Sequence, residues 1–202
     1  MIKVSLQPEP RNFDTNVRQL GNRLLSRGIP TSSKGYKNYW KKISHDLHRA
    51  YRGVCAYSCM YIMPPGSVDH FLPKVQHPNL AYEWSNYRLS SPRVNQHKGD
   101  SLDVIDPFNV QEGWFVLDFP SCLVKASDDL PEVIFNQVEN TIRVLKLNDD
   151  DTLVQERCDI MLEYSDGAVT IDFLSRRYPF LAQEIIRQEI QDSVSDIFRR
   201  RH

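Results

Sequence analysis

The chain has 202 residues, 41% of them hydrophobic and 25% charged, the proportions of an ordinary soluble globular protein. No run of about 18 apolar residues is present, which excludes an obvious membrane span, and the opening MIKVSLQPEP has no apolar leader. Four cysteines are too few for a disulfide framework, so a reducing cytoplasm is expected.

The net charge of −1 argues nothing about nucleic acid by itself, but its distribution is uneven. Between Arg18 and Arg52 the bases Arg23, Arg27, Lys34, Lys37, Lys41, Lys42 and Arg49 face Asp46 alone. From Asp100 to Asp172 acids far outnumber bases. A basic N-terminal third can track a phosphate backbone. It can equally be a solvated helix surface.

In chain order, residues 14–27 read as a helix, capped by Asp14 or Thr15, with Leu20 and Leu24 on one face and Gly28 at its end. Residues 33–52 read as a second helix, because Tyr36, Trp40, Ile43, Leu47 and Ala50 recur at helical steps. His45 and His48 on it are expected to be exposed, and Trp40 to be core. VCAYSCMYIM (54–63) reads as strand or hairpin, and VDHF (68–71) as a short strand. Residues 76–90 read as a loop. Pro92 opens a short helix that stops at Gly99. GWFVLDF (113–119) and CLVKA (122–126) pair as a hairpin. Pro131 opens a helix with Ile134, Val138, Ile142 and Leu145 on one side. Residues 152–165 and 179–200 are helical, the last with an Ile186, Ile190, Val194, Ile197 stripe, and RRRH closes the chain as a frayed basic tail.

VDHFLPK (68–74) sets a carboxylate, Asp69, beside an imidazole, His70, between prolines. Asn86, Asn95 and Lys98 follow. Phosphodiester cleavage needs a nucleophilic water, a base to activate it, and positive charge near the phosphate oxygens. A neutral imidazole accepts a proton near pH 7. Carboxylate and amide oxygens suit a hard divalent ion. A regular strand sends Asp69 and His70 to opposite faces, so both reach one phosphate only if the strand twists or ends there. A helix turns about 100° per residue, so Asn95 and His97 point apart, and Asn95 is the expected ligand.

This order of residues resembles the HNH (ββα-metal) endonucleases, through VDHFLPK, EWSNYRLSS (83–91) and NQHKGD (95–100). CAYS (55–58) looks like the CAYC that precedes the Asp-His strand in many members. The likeness is greatest to HNH nucleases of bacterial anti-phage defence, the Septu type, including those beside retrons. It extends to FDTNVRQLGNRLL, the Trp40 helix, AYEWSNYRLS and VENTIRVLKLN. It implies an α+β fold with a small ββα-metal core in an α-helical frame. The expected segments are a basic helical 1–53, a core 54–105, and a hairpin with helices 106–202 in the same compact unit.

The resemblance also implies roles. His70 is the general base, Asn86 orients its loop and ring, and Asp69 and Asn95 hold one Mg2+ or Mn2+. Lys98, His97, Lys74, Lys41 and Lys42 are the expected nucleic-acid contacts. DNA is the first substrate, RNA such as a tRNA the alternative, and a defence-system ATPase the implied partner. Many relatives bind a structural zinc through paired cysteines. The matching positions here are Cys55, Ser58, Ser91 and Val94, so no structural zinc is expected, and serine is a poor substitute for thiolate. That departure keeps a second reading open: a degenerate HNH-fold subunit that binds nucleic acid or a partner without cutting.

Overall fold

The structure, a computed structural model, describes residues 1–199. The basic tail expected at 200–202 lies outside them. The described residues form a mixed α+β fold, with two separate two-stranded antiparallel sheets among several helices. None of the described helices is long and apolar enough to cross a membrane. Contacts divide the chain into two compact units whose borders cut across the three expected segments. One holds Ser5–Cys55 and Ile62–Leu102. The other holds Met1–Val4, Ala56–Tyr61 and the chain from Asp103 onward.

In the first unit, a π-helical turn Asp14–Arg18 runs into α1, Gln19–Leu25. The buried residues are Val17 and Gly21 rather than the expected Leu20 and Leu24, which are half-buried. Gly21 is required by packing: a Cβ there would lie 2.1 Å from Cγ of Tyr82.

The single helix expected over 33–52 is broken. A 3₁₀ turn at Ser33–Gly35 gives way to extended backbone at Tyr36, followed by a 3₁₀ segment Tyr39–Ile43 and α2, Ser44–Ala50. The break accepts a tertiary bond, the Tyr82 hydroxyl donating to Lys37 O at 3.1 Å. The stripe Tyr36, Trp40, Ile43 and Leu47 is nevertheless buried, since 3₁₀ and α turns put similar spacings on one face. His48 is buried rather than exposed, with Nε2 2.8 Å from Ile62 O.

In place of the strand or hairpin expected at 54–63 there are turns with single bridge residues at Val54 and Tyr61, and Ile62 N–H donates to Gly53 O at 2.8 Å. Left-handed φ values at Arg52, Gly53 and Cys59 interrupt any extended run. β1, Ser67–His70, follows, and the loop expected up to residue 90 ends instead in β2, Tyr87–Ser90. The two strands are antiparallel, with Asp69 opposite Arg88 and His70 opposite Tyr87. α3, Pro92–Lys98, starts and stops as expected: the Ser91 hydroxyl accepts from Val94 N–H, Pro92 occupies the first turn, and Gly99 takes φ 53°. β1, β2 and α3 thus succeed one another as strand, strand, helix, and α3 packs on β1.

In the second unit, β3, Phe115–Asp118, and β4, Leu123–Ala126, form the expected hairpin. α4, Glu132–Val144, and α5, Asp151–Ser165, lie where helices were expected. Arg157 of α5 is buried and donates to the carbonyls of Cys122 and Leu147 at 2.8 and 2.7 Å. α6, Ile171–Arg177, was not expected; Thr170 caps it by accepting from Phe173 N–H. The helix expected over 179–200 is two, α7, Pro179–Arg187, and α8, Val194–Arg199. Glu189 turns left-handed, and Ile190 N–H closes back on Ile185 O at 3.1 Å, a helix-terminating geometry. The buried face is therefore Phe180, Leu181, Ala182 and Ile185, leaving Ile186 exposed.

Candidate functional site

Ser67 and Asp69 share a face of β1 because strand side chains alternate, and α3 lies along that face. Asn95 Nδ2 donates to Ser67 Oγ at 2.6 Å. One turn on, Lys98 Nζ donates to Asp69 Oδ1 at 3.2 Å, His70 O at 3.2 Å and Phe71 O at 3.1 Å. The step of three on the helix is thus matched to a step of two on the strand, and Asn95 is brought to the side of β1 that carries Asp69.

Lys98 corrects one expectation. Its side chain is 0% exposed, so the ammonium is committed to the end of β1 and does not face an external phosphate. Asp69 is 2% exposed and has a second cation beside it. Arg88 stands directly opposite on β2, and side chains at opposed positions share a face. Arg88 and Lys98 both lie against the Phe71 ring, at 5.2 and 5.6 Å from its centre.

His70 ends β1. Its Nε2 is 2.9 Å from Ala81 O. A carbonyl can only accept, so Nε2 carries the proton and Nδ1 is the unprotonated ring atom. The Tyr87 hydroxyl donates to the same carbonyl at 3.0 Å. The ring meets Trp40 and Tyr87 edge-on, with centroids 4.5 and 5.0 Å apart. Burial pushes the His70 pKa down to about 3, Lys74 and Lys98 add to this, and the Ala81 bond opposes it. Burial likewise raises the Tyr87 phenol well above its usual range.

Asn86 is buried and works on the backbone. Its Oδ1 accepts from Leu72 N–H at 2.8 Å, and its Nδ2 donates to Leu72 O and Leu80 O at 2.9 and 3.2 Å. It therefore pins both ends of the loop that leads to Ala81, the residue whose carbonyl holds the His70 ring.

A cavity of about 300 Å³ opens here. Asp69, His70, Asn95 and Lys74 all line it, as do Trp40 and the exposed Asp100. The strand end lets Asp69 and His70 reach one space although they leave opposite faces. Asn86 and Lys98 stand behind this wall. Lys41 and Lys42 are exposed away from the lining, with Lys42 Nζ 5.8 Å from the Tyr39 ring centre. His97 is half-buried and does not line the cavity.

Trp40, expected as plain core, is a cavity residue, as is Ser67. The Trp40 signal lay in the charged company of its segment. The Ala81 carbonyl had no signal in the sequence, because backbone groups carry none.

The donors suit a hard divalent cation. Asn95 has its amide nitrogen committed to Ser67, and its Oδ1 has no protein donor among the described residues. Carboxylate, imidazole and thiol groups do not gather in threes among the described residues. The residues lining the cavity include a carboxylate, already paired with Lys98, and an amide oxygen, donor types that Mg2+ takes beside waters and substrate oxygens. At the positions that the sequence resemblance matches to zinc cysteines, Cys55 Sγ donates to Ser90 Oγ at 3.8 Å and accepts from Ser91 N–H at 3.4 Å. Ser91 caps α3, Val94 is fully buried, and Ser58 is buried.

No family model matches the sequence, and no curated protein matches it.

Proposed function

We propose that the chain is an HNH-type (ββα-metal) endonuclease, hydrolysing nucleic-acid phosphodiester bonds with a divalent cation, DNA being the first substrate. The observation that carries this reading is the convergence of Asp69, His70 and Asn95 on one cavity through a strand–strand–helix unit. The ring is neutral at pH 7 and its tautomer is set by Ala81 O.

In this reading His70 Nδ1 takes the proton of a water as the water oxygen bonds to phosphorus and the bond from phosphorus to the 3′ oxygen breaks. The departing oxygen takes a proton from solvent. Ala81 O and Asn86 keep the ring aimed, and Trp40 and Tyr87 exclude bulk water from its edges. Asp69 and Asn95 Oδ1 would hold the Mg2+ or Mn2+, whose contribution is Lewis-acid stabilisation of charge on the phosphate and leaving oxygens. An isolated imidazole of pKa near 3 is a weak base. Burial is the main cause of that low value, and an anionic phosphate in the cavity, by offsetting the Lys74 charge, relieves the lesser part of it. Lys74 is the phosphate contact, and Lys98 fixes the end of β1.

The sequence resemblance further supports a role in anti-phage defence beside an ATPase, in the cytoplasm. A second reading, a non-cutting nucleic-acid-binding subunit, is supported by the buried Lys98–Asp69 pair, which already neutralises the expected metal carboxylate. Incubation of plasmid DNA and of tRNA with Mn2+ tests both. Cleavage by the wild type, abolished in a folded His70→Ala protein, supports the nuclease. Equal behaviour of the two proteins removes the catalytic role. Binding without cutting selects the second reading.

A further inference from the structure

We propose that Trp40 is a positioning residue that holds Lys74 over the cavity as its phosphate-binding cation and braces the His70 ring in the same contact. This deepens the reading above and rests on it only in taking a nucleic-acid backbone as the ligand.

The cations around the site differ in what already engages them. Lys98 has three internal acceptors. Arg88 donates to Ser85 O and Tyr87 O. Lys74 has no hydrogen bond or ion pair among the described residues, yet it lines the cavity. Its contact is with an indole: Nζ lies 5.6 Å from the Trp40 ring centre, within cation–π range. Its backbone is held as well, since Pro73 is buried and its carbonyl accepts from Gln76 and His77 N–H at 3.1 and 2.8 Å.

The same indole meets the His70 ring with centroids 4.5 Å apart at 83°. Trp40 thus touches both the proposed base and the unpaired cation, and it is 8% exposed. An ordinary core tryptophan packs against apolar groups. This one presents its π face to an ammonium that has no counter-ion. A phosphodiester oxygen entering the cavity completes the Lys74 site without breaking an existing ion pair. Asp100, also lining the cavity, opposes it.

The test is equilibrium binding of a short DNA duplex in EDTA across a salt series, so that neither cation nor cleavage enters. Lys74→Gln and Trp40→Leu are each expected to weaken binding about tenfold and to lower the slope of log K against log salt by ~0.9, the value for one lost phosphate contact. The double variant loses no more than either single one, and Trp40→Phe keeps the wild-type slope. Weaker binding by Trp40→Leu with an unchanged slope, or additive losses in the double variant, overturns the proposal, as does a wild type that does not bind duplex. If Trp40→Leu does not fold, wild-type NMR decides. The Lys74 ε-methylene protons, assigned by their loss in Lys74→Gln, are shifted upfield by the indole ring current. Unshifted protons overturn the proposal. A chain that binds in this way but never cuts with Mn2+ retains the inference and loses the nuclease reading.

Discussion

Lys98 Nζ lies 3.2 Å from Asp69 Oδ1, with the two side chains 0% and 3% exposed. This buried pair ties α3 to the end of β1. Removing one partner of a fully isolated buried pair costs about 3–5 kcal/mol, but Arg88 still stands opposite Asp69, so the loss of the Lys98 bonds sets a smaller scale, about 1–3 kcal/mol. Lys98→Met is therefore expected to lose stability on that scale in urea melts. Adding Asp69→Asn to it should cost less than it does in the wild type, because the Lys98 bond to that carboxylate is already gone. Full additivity of the two substitutions would show that they do not act on one another.

His70 gives a pH prediction with a definite sign. Its folded pKa, about 3, lies below the ordinary value of 6.5. The unfolded chain therefore binds the extra proton between those values. Its contribution is fully present above about pH 6.5 and is lost as pH falls toward 3, at about 1.4 kcal/mol per pH unit. Chemical denaturation between pH 7 and 4 should show a steeper fall for the wild type than for His70→Gln. Parallel curves would contradict the buried neutral ring.

Asn86 offers a test of polarity rather than size. Its Nδ2 faces two carbonyl oxygens, those of Leu72 and Leu80. Asn86→Asp keeps the shape but turns the donor into an acceptor. It is expected to destabilise by about 1–3 kcal/mol, at least as much as Asn86→Ala, and to reduce any cleavage through the loop that carries Ala81. Calorimetric melting of the two variants checks the order.

Gly21 links a helix to the same loop. With a Cβ set 2.1 Å from Tyr82 Cγ, Gly21→Ala must displace Tyr82, the neighbour of Ala81. Overpacking of this kind costs about 1–3 kcal/mol. A urea midpoint equal to that of the wild type would mean that Tyr82 moves freely.

Local chemistry was legible in the sequence, and tertiary choices were not. The start of α3 at Pro92 and its end at Gly99 are short-range signals, and they were read correctly, as was the β3–β4 hairpin; the Ser91 cap was not singled out. β2 escaped because it is only four residues long and follows directly on the turn formers Pro78, Asn79, Ser85 and Asn86, whose loop signal covered it. The helices expected over 33–52 and 179–200 were cut by a tertiary bond to Lys37 O and by a left-handed Glu189. At the site, Asp69, His70 and Asn95 could be chosen by type and order. The inward direction of Lys98 could not, because spacing does not say whether an ammonium meets water or a carboxylate. The role of Trp40 was hidden because its spacing is also that of a core residue.

A cation site shared by Asp69 and Asn95 is tested most directly by titrating the protein with Mn2+ under electron paramagnetic resonance. The wild type is expected to take up a single tightly bound Mn2+, and Asn95→Ala, which gives up only its bond to Ser67, to lose that binding while remaining folded. Equal Mn2+ uptake by the two proteins, or none by the wild type, would contradict it.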